Sequence, residues 1–185
     1  LSSLGLKNRI HEDQLKALCA AAASSGAVGL IHLEKITPEA PDLDTALGGK
    51  APKQTIVVDM DMIRDSLHKL TLAQNGPIDC VALGSPHFSS EECRQLLSLA
   101  DGKNFIVPVY VCTGRHTMTK LKGDGIIRAL EKLGVHFIVD TCVVVTPILP
   151  TKEGVLMTNS AKFSHYSTGN TGYSPIFGSL IDCVK

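Results

Sequence analysis

The chain has 185 residues, formal net charge zero and 44% hydrophobic residues, enough for one α/β domain with a real core. Balanced charge with no basic cluster excludes nucleic acid as a partner. No apolar run approaches the roughly 20 residues that span a bilayer, so no membrane partner is expected. Leu1-Ser2-Ser3-Leu4-Gly5 has neither a charged nor an apolar leader region, and a first residue other than methionine reads as a processed chain or a piece of a longer one. The six cysteines stand at 19, 80, 93, 112, 142 and 183. They show no C-x-x-C pair and no zinc spacing, which points to a reducing, cytoplasmic setting.

In chain order, His11–Ala23 predicts a helix, with Leu15, Leu18, Cys19 and Ala22 at three- and four-residue steps. Ala27–His32 follows as a short apolar strand. Residues 34–52 read as loop, broken by three prolines and Gly48-Gly49. Thr55–Asp59 is a β-branched strand and Met60–Leu72 a helix with Ile63, Leu67 and Leu70 on one face. Asp79–Leu83 is the next strand, and Ser89 with Glu92 forms a capping box that opens a helix. Phe105–Val111 is a strand whose Pro108 argues for an edge or bulge. Gly123–Leu133 is a helix stopped by Gly134, and Val135–Asp140 is another strand. Beyond Val143 the alternation fades into turn-rich sequence, with a last helix near Ser179–Lys185.

Apolar strands alternating with amphipathic helices predict a mostly parallel sheet with helices on both faces, in three layers. Ligands of such sheets bind at the carboxyl ends of the strands. The loops expected there carry Ser85 and His87, then Thr113, Arg115 and His116, then Thr141 and Cys142. Gly84–Ser89 suits an anion cradle, since free N–H groups open the following helix, although a plain strand-to-helix turn has the same pattern. Arg115 could clamp a carboxylate bidentately or stand alone on the surface. Cys142 is a buried thiol by default, with a nucleophile as an alternative class. Lys162 and Tyr166, four apart, align on one helical face, as do Asn159 and Phe163.

Six ordered stretches together resemble the aconitase X family. They are Ser24–Val28, Thr37–Ala40, Leu83–Ser89, Asp140-Thr141-Cys142, Thr158–Phe163 and Phe177–Cys183. The likeness runs from about Leu15 to the end and implies an aconitase-like domain that is part of a longer large subunit. It implies an iron-dependent dehydratase, a hydro-lyase that eliminates water from a small anionic hydroxy acid. Either cis-3-hydroxy-L-proline or phosphomevalonate would serve, and a modest charged fraction favours the first. The implied cofactor is an iron centre or iron–sulfur cluster of open nuclearity, held by Cys142 first and Cys183 second. The resemblance implies that this chain is the C-terminal part of that large subunit, with the missing N-terminal half and a small swivelling subunit or domain as its partners. Ser160 is the candidate base by analogy, with Lys162 and Tyr166 assisting. Ser85, His87, Arg115 and Asn159 would bind substrate. A non-catalytic α/β binding domain is the competing reading.

Overall fold

The computed structural model describes residues 10–73 and 76–185; the leader reading at Leu1–Gly5 lies outside them. The chain falls into two compact units, Leu1–Arg64 and Asp65–Lys185. The whole sheet belongs to the second unit.

In the first unit, α1 (Glu12–Gly26) begins at a capping box between His11 and Gln14 and ends with Ala27 in the left-handed region. The expected loop contains a short helix, α2 (Leu43–Leu47), capped by the Asp42 side chain. Asp59 accepts from the Met62 N–H at 2.8 Å and starts α3 (Met60–Leu70), whose residues from Asp65 onward belong to the second unit. The strands predicted at Ala27–His32 and Thr55–Asp59 are absent. A strand exists only when a neighbour pairs with it, and no described residue does so.

The second unit builds the sheet from β1 (Cys80–Phe88), β2 (Val109–Thr113), β3 (Val135–Val139), β4 (Gly154–Thr158) and β5 (Tyr173–Phe177). The order is β3-β2-β1-β4-β5 and every pairing is parallel. Between β1 and β2 lies α4 (Ser90–Ala100), opened by the expected Ser89–Glu92 capping box. The helix predicted at Gly123–Leu133 is present as α6 (Ile126–Lys132), and a further one, α5 (Arg115–Lys122), precedes it. Pro108 precedes β2 instead of marking an edge, for β2 lies between β3 and β1. The segment Ser179–Lys185 closes one turn and is not a helix.

Side chains alternate across a strand, and the core divides accordingly. Val81, Leu83, Val109 and Val111 face α4, α5 and α6 through Leu96, Leu121, Ile127 and Leu130. Cys80, Ala82, Cys112 and Leu156 face Val143, Val144 and Phe163, the last from α7 (Ala161–Thr171). The three-layer α/β architecture is thus present. Cys183 lies in the first cluster, 5% exposed, where burial pushes its thiol up to about 12. It also lines an apolar cavity of about 990 Å³ beside Ile78 and Phe105, toward the amino ends of β1 and β2.

Gly84 shapes the opposite edge. Its φ is +88°, and a Cβ there would stand 2.1 Å from the Cys112 carbonyl oxygen. We expect Gly84→Ala to lower stability by about 2 kcal/mol or more, read as a lower denaturant midpoint. Gly123→Ala, with nothing within 4 Å of the new Cβ, is expected to leave the midpoint nearly unchanged.

Burial also raises Cys80 to about 12 and Cys112 to about 11. Folding therefore favours the neutral thiols. Their contribution is complete below the unfolded pKa near 9 and is lost as pH rises toward 11 to 12. Alkaline titration should show thiolate absorbance and loss of helix rising together above about pH 9.

Candidate functional site

Because all five strands are parallel, their carboxyl ends share one edge. The chain winds outward from β1 to β2 and β3, then returns to β4 on the other side of β1. The switch point, where ligands of doubly wound sheets bind, therefore lies between β1 and β4. The β1–β2 register runs Leu83↔Val111 and then jumps to Phe88↔Thr113. That bulge carries Ser85, Pro86 and His87 out of the ladder, and the Ser85–Pro86 bond is cis.

From the other side of the switch point, β4 ends in Thr158, and Ser160 caps α7. The Ser160 hydroxyl accepts from the Phe163 N–H at 3.0 Å and donates to the Ser85 carbonyl. The Ser160 N–H in turn donates to Thr158 Oγ1 at 3.1 Å. Ser160 is 9% exposed. Its observed work is to tie the start of α7 to the β1 bulge. Asn159 sits half-buried just ahead of the cap, outside the helix, so it does not share a helical face with Phe163.

The loop after β3 arrives from the third direction. Asp140 adopts φ 61° and its N–H donates to the Thr113 carbonyl at 2.9 Å. The Ser85 hydroxyl donates to Cys142 Sγ at 3.9 Å, and His87 Nε2 lies 3.2 Å from the Thr141 carbonyl oxygen. A tautomer with hydrogen on Nε2 donates that bond. Thr141 and Thr146 hydroxyls meet at 2.5 Å, while Val145 and Thr146 N–H groups both return to the Cys142 carbonyl at 3.1 Å. Cys142 is therefore held half-buried in a tight loop.

Arg115 opens α5 and is exposed. Its backbone N–H reaches Asp140 Oδ1 at 2.8 Å, and its Nε bonds the other carboxylate oxygen. These two bonds hold the Asp140 carboxyl below its usual range. The two terminal guanidinium nitrogens have no partner among the described residues. Asp140 is the partner that sequence reasoning missed. It stands in the Asp-Thr-Cys motif, but nothing in its spacing from Arg115 announces the pair.

The structure thus joins Ser85, His87, Arg115, Cys142 and Ser160 at one edge through direct contacts and shared loops. Lys162 lies half-buried in the first turn of α7, and Tyr166, one turn on, packs edge-on to His165 at 5.0 Å. No hydrogen bond or ion pair among the described residues engages the Lys162 ammonium or the Tyr166 hydroxyl. Cys183 is not part of the assembly. It packs in the core cluster on the opposite face of the sheet from Cys142. Among the described residues no group of three or more His, Cys, Asp or Glu side chains is placed to hold a metal. As a donor set, this edge fits an iron centre only in part, through the single Cys142 thiol.

Comparison with known proteins agrees with this architecture. The profile of the aconitase X third domain matches residues 78–185, and that of the aconitase X second domain matches residues 2–68. A cis-3-hydroxy-L-proline dehydratase from Pseudomonas aeruginosa is 38% identical over 98% of this chain, which spans 32% of that protein. One of the same name from Hypocrea jecorina is 39% identical over 95% of the chain and 30% of its own length. The phosphomevalonate dehydratase large subunit of Methanosarcina mazei is 30% identical, over 97% of this chain and 42% of its own. The crystal structure of aconitase X from Thermococcus kodakaraensis, in its holo-form, superimposes with a TM-score of 0.77 at 25% identity, covering 96% of this chain and 45% of that one. The chain spans about a third to under half of the relatives it matches, and it belongs to the aconitase X family.

Proposed function

We propose that the protein to which this chain belongs is an iron-dependent hydro-lyase that removes water from a small anionic hydroxy acid, with cis-3-hydroxy-L-proline as its substrate. The observation that carries the reading is Cys142, held by Ser85 and its own loop at the switch point of a parallel sheet. The substrate choice is supported by 38–39% identity to proteins named for it, against 29–31% for those named phosphomevalonate dehydratase.

Cys142 would be one ligand of an iron centre or iron–sulfur cluster, its remaining ligands coming from polypeptide beyond this chain. When bound, such a centre supplies Lewis-acid polarisation of the leaving hydroxyl. The Ser85 hydroxyl, donating to Sγ, orients the sulfur as outer-sphere partners of metal ligands do. Loss of water from a β-hydroxy acid also needs a carboxylate held and a proton taken from the neighbouring carbon. Arg115, with Nε fixed on Asp140, offers its two terminal nitrogens to that carboxylate. The Asn159 amide adds a donor around it, and His87, its Nε2–H held by the Thr141 carbonyl, lines the same edge.

Ser160 has its proton committed to the Ser85 carbonyl and its oxygen accepting from the Phe163 N–H, so it serves as base only after handing that proton to another group. Lys162 and Tyr166 have unengaged polar ends and are the proton carriers closest to readiness. A cytoplasmic enzyme fits six free thiols, and no described helix is long and apolar enough to cross a membrane. A small swivelling subunit or domain would complete the pocket.

Cys142→Ser in the full-length protein is the test. Iron content should fall, and the dehydration rate should drop by about a hundredfold or more. Undiminished iron binding would sink the ligand assignment. Turnover of phosphomevalonate but not hydroxyproline would reverse the substrate, and no turnover of either by iron-replete protein would favour a non-catalytic binding domain.

A further inference from the structure

The first unit buries few apolar side chains among its described residues. Among its described residues, Leu33 and Ala40 are the hydrophobic ones that are buried. Neither α1 nor α3 buries any residue. Meanwhile two apolar runs stand open to solvent. Ile56, Val57 and Val58 are 62%, 81% and 53% exposed, and Leu30 is 74% exposed. These are the runs whose composition predicts strands. No backbone hydrogen bond joins Gly29–Ile31 or Ile56–Val58 to another described residue.

Consecutive exposed β-branched residues with unpaired backbone groups are a template for strand addition. Their setting is that of a sheet. Residues 27–32 leave the carboxyl end of α1, and residues 55–59 lead into α3 through the Asp59 cap. A helix followed by an apolar run, and an apolar run followed by a helix, have the sequence of the halves of α/β units.

We infer that residues 28–31 and 55–58 are strands of a second sheet, completed by the domain that precedes the matched region in this family. Two observations select that occupant. The matched profiles are those of the second and third domains, which leaves a first domain unmatched. The relatives also carry most of their length beyond the span they share with this chain. A second copy of this chain would instead add strand to strand between molecules.

Hydrogen exchange on the full-length protein reads the outcome directly. The amides of Ile56, Val57 and Val58 should exchange at least about a hundredfold more slowly than in an unfolded chain; exchange at the unfolded rate would overturn the inference. Val57→Cys carrying a photo-crosslinker, in a mixture of isotopically heavy and light protein, identifies the neighbour. Cross-links within one chain, to a peptide outside residues 1–185, are expected. Cross-links joining heavy to light chains would assign the runs to a second copy and overturn the assignment.

Discussion

Everything at the candidate site depends on how closely β1 approaches β2 at Gly84. A side chain there would collide with the Cys112 carbonyl, so only glycine lets the backbone turn out of the ladder at that point. Once it has turned, the Ser85 carbonyl and hydroxyl are released from strand pairing and point to different partners. The carbonyl is taken by Ser160 from the β4 side, and the hydroxyl by Cys142 from the β3 side. One bulge therefore couples both flanks of the switch point, as bulges beside functional sites often do by re-aiming side chains.

The charged pair at the rim has a different character. Arg115 and Asp140 are both exposed, and solvent screening leaves ion pairs of that kind little weight in stability. Their value lies in direction. Asp140 takes the Nε edge of the guanidinium and its backbone N–H together, leaving the fork of terminal nitrogens facing outward. A planar cation held by one edge is presented to a carboxylate with less freedom to lose on binding.

The second unit was largely legible because its strands are short apolar runs with clear punctuation. Ser89–Glu92 fixed the start of α4, and the loops carrying Ser85, Arg115 and Cys142 did meet at one edge. What stayed hidden has physical reasons. The α7 sequence, with Ser, Thr, Asn and Gly, is poor in helix formers, and its Ser167 hydroxyl is satisfied by the Tyr173 carbonyl at 2.9 Å, a bond no periodicity reveals. Met157 and Ile176 pair in the β4–β5 ladder, but their runs are too short and too interrupted by Gly and Pro to read as strands. Cys142 and Cys183 look alike as sequence, each closing a motif. Only the face of the sheet against which each segment packs separates a thiol at the binding edge from one in the core on the other side.

The strand pattern in the first unit poses the reverse case, a clear sequence feature with no element to match. Burial of apolar side chains has to outweigh the conformational freedom lost when the backbone is ordered. Leu33 and Ala40 cannot offset that over dozens of residues, while the second unit sets more than twenty buried apolar side chains against the same cost. Val57 and Leu30 are therefore not misplaced surface residues. Their β-branched and alternating neighbours encode a sheet whose other strands must come from elsewhere, since local propensity makes a strand only when something pairs with it.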